Sequence, residues 1–130
     1  MGLATFDEKQ AYAKVVYFIN ATGVTQQHLA DASGLILRID SLVVTNADSI
    51  AHVITVQLND GSTGGTLGTV SVAAGAGTAG TPGVDILAAV LPATVVGVVL
   101  PPSAFIGAFL AVAVTGGNTL QVTALGGYVG

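Results

Sequence analysis

Apolar and polar positions alternate most regularly in the middle of this chain. Leu35, Leu37 and Ile39 alternate with Arg38 and Asp40, the period-2 signature of a strand with one buried face. The pattern slips at Ser41-Leu42-Val43, which predicts a bulge or a local twist. Asn46-Ala47-Asp48-Ser49 then supplies turn chemistry. Beyond it Ile54, Val56 and Leu58 face one way, and Val53, Thr55 and Gln57 the other. These two strands are expected to pair as an antiparallel hairpin, with Asn59-Asp60-Gly61 turning the chain at its far end.

The flanking segments extend the same theme. Residues 1–14 are expected as an N-terminal arm, with Asp7-Glu8-Lys9 as a charged triplet, and 15–130 as the folded domain. Ala11–Asn20 is the first β-rich run. The polar stretch Ala21–Gly34 has room for one short helical turn near Thr25–Ala30. Thr66–Val72 is a further short strand with Val70 and Val72 inward, and Ala73–Gly83 is a loop rich in glycine and alanine. Val84–Leu91 is compatible with a strand or a single helical turn. Val95–Leu100, Phe105–Val114 and Leu120–Leu125 are strands, the first two joined at Pro101-Pro102 and the last two through Thr115-Gly116-Gly117-Asn118 as a hairpin. About seven strands with closely spaced turns predict an all-β fold: an antiparallel β-sandwich of jelly-roll or Greek-key type.

Composition changes the picture in one respect. Of the 130 residues 52% are hydrophobic, yet aromatics make up 5% and charged residues only 8%. Soluble domains average about a quarter charged residues. A surface this poor in charge is expected either to face lipid or to be covered by partner chains. The longest apolar stretch, Val84–Thr115, is interrupted by Pro92, Gly97, Pro101-Pro102 and Gly107, which argues against a membrane helix and for buried strands. Three Lys and Arg against a formal net charge of −4 exclude nucleic acid as a partner, because phosphate neutralisation needs cations. No basic segment precedes an apolar run in Met1–Gln10, so no secretory signal is expected there.

The polar residues offer few candidates for chemistry. His52 stands four residues after Asp48, a spacing compatible with a metal or general-base site, but equally with a histidine at a strand end beside a turn. The latter is expected. Asn59 and Asp60 lack the repeated acidic ligands of a calcium loop. Gly75-Ala76-Gly77 with Gly80 matches a phosphate-loop spacing but neither follows a βαβ pattern nor opens a helix. No serine lies in a nucleophile elbow. The expectation is a non-enzymatic protein without metal or cofactor.

Phe105–Val114 is apolar on both faces, with Ile106, Leu110 and Val112 on one and Phe105 and Phe109 on the other. One face of a sandwich strand meets the core, so the second is expected to meet another chain. Phe6, Tyr12, Phe105, Phe109 and Tyr128 are the candidate interface anchors, since aromatic residues are enriched at interfaces.

The stretch Leu35–Tyr128 resembles small bacteriophage virion proteins, particularly capsid decoration (cement) proteins. The likeness rests on Ile39–Asn46, Ala51–Gly61, Leu100-Pro101-Pro102-Ser103 and the Gly126-Gly127-Tyr128 tail. It is a style of sequence and has no diagnostic motif. It implies a structural protein on the capsid surface of the virion, a homo-oligomer (a trimer in many such proteins), whose partner is the major capsid protein or another virion protein. Tail, baseplate and fibre-base components share the style, and a receptor- or carbohydrate-binding module is the alternative from another class. The lack of Trp and the presence of only three Tyr weigh against that module.

Overall fold

A computed structural model describes residues 8–17, 27–78, 80–95, 97–116 and 118–129. The strands are β1 (Glu8–Tyr17), β2 (Gln27–Asp31), β3 (Ile36–Asn46), β4 (His52–Asn59), β5 (Gly64–Val72), β6 (Val84–Asp85), β7 (Val98–Leu100), β8 (Phe105–Leu110) and β9 (Leu120–Val129), with one helix, α1 (Ile86–Val90). They form two antiparallel sheets. The first has the order β1-β9-β3-β6, with β7 also paired to β3; the second has the order β2-β8-β4-β5. With β6 and β7 as two short pieces of one edge, this is the strand order of a jelly roll: each sheet interleaves strands from early and late in the chain. The expected all-β sandwich is therefore observed, in its jelly-roll form.

The alternation seen in the sequence places the core. Leu37 and Ile39 point inward, a register shift falls between Ile39 and Ser41, and Leu42, Val44 and Asn46 continue on the same buried face. The predicted slip is thus a bulge. Ile54 and Val56 from β4, Ile106, Ala108 and Leu110 from β8, and Leu120, Val122 and Ala124 from β9 complete the layer between the sheets. Burying each large aliphatic side chain here contributes about 1.5–3 kcal/mol.

Val84–Leu91 resolves into both of its alternatives. Val84 and Asp85 pair with Val44 and Val43, and the chain then turns into α1. Asp85 makes that switch possible. Its Oδ1 accepts from the Leu87 and Ala88 amides, capping the helix, and from the Leu42 amide of β3 at 3.1 Å. Ile86 and Leu87 are buried, so α1 closes the gap between the sheet edges beside β5, where Val90 meets Gly68.

Several expectations about neighbours are corrected. β3 and β4 do not form a hairpin: they lie in different sheets, and among the described strands only β4 and β5, joined through Asn59-Asp60-Gly61, pair as consecutive strands. The corner after β3 is held by buried Asn46, whose amide nitrogen donates to the Ile50, Val72 and Ala73 carbonyls while its oxygen accepts from the Asp48 amide. That network directs the chain across to the other sheet. Likewise β7 and β8, on either side of Pro101-Pro102, lie in different sheets, as do β8 and β9. β8 ends at Leu110, and Val112 lies beyond it, 57% exposed. Gln27–Asp31, within the stretch given a helical turn, is a strand paired with β8. β1 runs Glu8–Tyr17 and pairs with β9 on either side of a register shift between Glu8 and Gln10, so residue 14, where the arm was expected to end, lies within a strand. Among the described residues no helix is long and apolar enough to cross a membrane.

Candidate interaction surface

The two faces of β8 have different fates. Ile106, Ala108 and Leu110 are fully buried between the sheets. Phe105 and Phe109 alternate with them and stand on the outer face of the second sheet, half-buried and outside the core cluster. Phe105 lies opposite Asp31 of β2 and Asn59 of β4, and Phe109 opposite Thr55. The His28 ring stacks on Phe105 at 3.8 Å between centroids and 15° between planes. His28 Nδ1 lies 2.9 Å from Asp31 Oδ1, and Lys14 reaches Asp31 at 3.7 Å from β1. The rest of this face is uncharged: exposed Val53, then Thr55, Gln57, Thr69 and Ser71. It is an aromatic strip in a hydroxyl and amide surround, with its charges gathered at the β2 side.

Of the other candidate anchors, Tyr12 and Tyr128 meet each other edge to face, with centroids 5.6 Å apart and planes at 84°. Both are half-buried and pack against the core, which already occupies much of their surface. Burial raises the Tyr12 hydroxyl pKa above its ordinary value, against the opposing pull of a hydrogen bond with the Asp31 backbone. The structure therefore separates the five residues: Phe105 and Phe109 share one outer face, Tyr12 and Tyr128 form a pair against the core, and Phe6 lies outside the described residues.

A second apolar surface was not anticipated. On the outer face of the first sheet Val15 is 52% exposed and Leu125 41%. Their strand partners make two cross-sheet rows, Val15–Thr123–Val43 and Ala13–Leu125–Ser41. Arg38 and Asp40 form a two-bonded ion pair toward one end. The sequence signal is Val15-Val16, apolar at successive positions of one strand, so that one of the two must face outward.

The structure does bring Asp48 and His52 together, with Nε2 2.7 Å from Oδ2 and both side chains buried. Asp48 also accepts from the Thr115 and Ser49 amides and from Asn118 Nδ2, while His52 Nδ1 lies 3.1 Å from the Val112 carbonyl. The Thr115 amide above all, with His52 and Asn118, holds the Asp48 carboxyl well below the usual carboxylate range, and burial opposes them only in part. Every polar atom of the pair is committed within the fold. Its function is to tie the β3–β4 corner to the β8–β9 connection; it has neither a free lone pair nor an open face for a substrate.

The remaining polar groups are similarly employed. Asp60 accepts from the Ser62 and Thr63 amides and Asn59 from the Gly61 amide, so both side chains shape the β4–β5 turn. These bonds, the Thr63 amide foremost, lower the Asp60 pKa. The Gly75–Gly77 loop packs on the end of β3, where a Cβ at Gly77 would collide with the Thr45 side chain. A cleft of about 290 Å³ beside α1 is bordered by Asp40 and Asp85, already engaged with Arg38 and with the helix amides. Among the described residues no three His, Cys, Asp or Glu side chains gather as a metal site.

Comparison with known protein families, curated proteins and solved structures finds no match to this chain.

Proposed function

We propose that this chain is a structural component of a bacteriophage particle, a homo-oligomeric decoration protein that binds the major capsid protein and stabilises the shell from outside. The observation that carries the reading is the outer face of the second sheet, where Phe105 and Phe109 are half-buried without contributing to the core. Aromatic side chains in an uncharged surround are the usual centre of a protein–protein interface, since they bring large contact area at little desolvation cost. A chain with 8% charged residues fits a molecule whose surface is covered in its working state. Many modest contacts repeated over a closed lattice sum to strong retention. The phage setting rests on the sequence resemblance, and the role assigned is binding, without catalysis.

The experiment is titration of purified shells with the protein and with a Phe105→Ser/Phe109→Ser variant. Wild-type protein should saturate the shells, and the variant should lose at least about tenfold in affinity, as expected for removing two interface anchors. Saturation by the variant with unchanged affinity would reject this face as the contact, and failure of the wild type to bind would reject the capsid role.

A further inference from the structure

His52 opens β4 with its imidazole buried, and both ring nitrogens face groups that accept hydrogen bonds. Nε2 lies 2.7 Å from Asp48 Oδ2, and Nδ1 lies 3.1 Å from the Val112 carbonyl oxygen. A neutral imidazole has one N–H and one bare lone pair, so it can satisfy only one of these neighbours. With the proton on Nδ1, the Nε2 lone pair opposes a carboxylate oxygen. With the proton on Nε2, the Nδ1 lone pair opposes a carbonyl oxygen. Either arrangement buries two acceptors against each other, where no water can relieve them. Two satisfied neighbours require two protons on the ring.

The other partners of Asp48 keep the shared proton on the histidine. Oδ1 accepts from the Ser49 amide and Asn118 Nδ2, and Oδ2 accepts from the Thr115 amide. Three N–H donors besides the imidazole favour the ionised carboxylate. An imidazolium beside it balances the buried charge. Among the described residues the adjoining strands contribute uncharged groups: Val72 of β5 stands opposite His52, and Asn46 ends β3.

We infer that His52 is a buried imidazolium latching the β8–β9 connection to the start of β4, and that alkaline pH opens this latch by removing its second proton. With both protons present, one N–H holds the Val112 carbonyl and the other holds Asp48, which in turn binds Thr115 and Asn118. When one is lost, the charge-assisted bond to Asp48 is the stronger and persists, so the Val112 carbonyl is released. A proton bound more tightly in the folded chain than in the unfolded one adds stability that is complete below the unfolded histidine range. That stability is lost as the pH rises through the folded transition, the opposite sense to the acid decline set by Asp48. The inference rests on hydrogen-bond geometry and is independent of the capsid reading.

The test is NMR of the full chain with 15N-labelled imidazoles, titrated upward from pH 7, with amide hydrogen exchange followed alongside. A His28→Gln sample leaves one histidine and assigns the ring signals. At pH 7 both His52 nitrogens should carry protons, and the Asp48 carboxyl carbon should show the shift of a carboxylate. Once one ring proton is lost, protection factors of the Ala111 and Thr115 amides, on either side of Val112, should fall at least about tenfold, while those of Ile54 and Val56 hold. A single protonated ring nitrogen at pH 7, a protonated Asp48 carboxyl, or proton loss without loss of protection at Ala111 and Thr115 would each overturn the latch. So would a ring that keeps both protons until the whole chain unfolds.

Discussion

Asp48 shows how one side chain can hold a crossing between sheets. Its carboxylate accepts from two loop segments far apart in sequence, Ser49 and His52 on one side, Thr115 and Asn118 on the other. A carboxyl whose folded pKa lies below its unfolded value adds stability above the unfolded pKa and loses it as the pH falls through the folded one. Asp48 is such a group, so the melting temperature should fall as the pH drops below the usual carboxylate range. Asp48→Asn should melt lower than wild type at pH 7 and show a shallower acid decline in calorimetry. Some decline should remain, since Asp60 is shifted the same way. An equally steep decline in the variant would place the acid sensitivity elsewhere. At Gly126 the constraint is steric: an added Cβ would collide with the Arg38 carbonyl oxygen, next to the β3 bulge. Gly126→Ala must therefore push β9 from β3, and should destabilise by about 1–3 kcal/mol in urea titration, the range of overpacked core sites.

At the scale of the element, α1 is too short to persist by its own hydrogen bonds. Buried Ile86 and Leu87 and the Asp85 cap hold it, and the same Asp85 oxygen accepts from Leu42 across the sheet. Asp85→Ala should then cost about 0.5–2 kcal/mol, the usual value of a lost cap, measured by chemical denaturation. Much of this level was legible in the sequence. The slip at Ser41-Leu42-Val43 became a bulge, Asn59-Asp60-Gly61 became a hairpin turn, and Val84–Leu91 proved ambiguous because it holds a strand end and a helix. Gln27–Asp31 was not legible: its five residues are too few for a clear period, and β8 beside it defines the strand.

For the whole molecule, the distribution of apolar surface matters more than its amount. The first sheet carries exposed Val15 and Leu125 on its outer face and the second exposed Val53 beside half-buried Phe105 and Phe109, while ion pairs of exposed side chains lie where β1 meets β2 and at Arg38 and Asp40. Because Phe105 and Phe109 take no part in the core, the Phe105→Ser/Phe109→Ser protein should keep its stability within about 1 kcal/mol of wild type in thermal melts. A larger loss would mean that the strip supports the single chain and would weaken its reading as a contact surface.

The chain's own pattern determined which residues face inward, because alternating Cβ directions and apolar spacing are properties of each strand alone. Leu37, Ile39, Ile54, Val56, Leu120 and Val122 are buried as their spacing implies. It also determined that the fold is all β. Which strand lies beside which was decided only in three dimensions. Turn residues such as Asn46-Ala47-Asp48-Ser49 reverse or redirect the backbone equally well, and nothing local distinguishes a hairpin from a crossing. Burying the inner faces of two sheets at once, with Asn46 and Asp48 satisfied by partners as distant as Val72, Ala73, Thr115 and Asn118, selected the jelly roll over the hairpins that the turns suggested. The same choice set Phe105 and Phe109 on an outer face and left β5 at an uncharged edge.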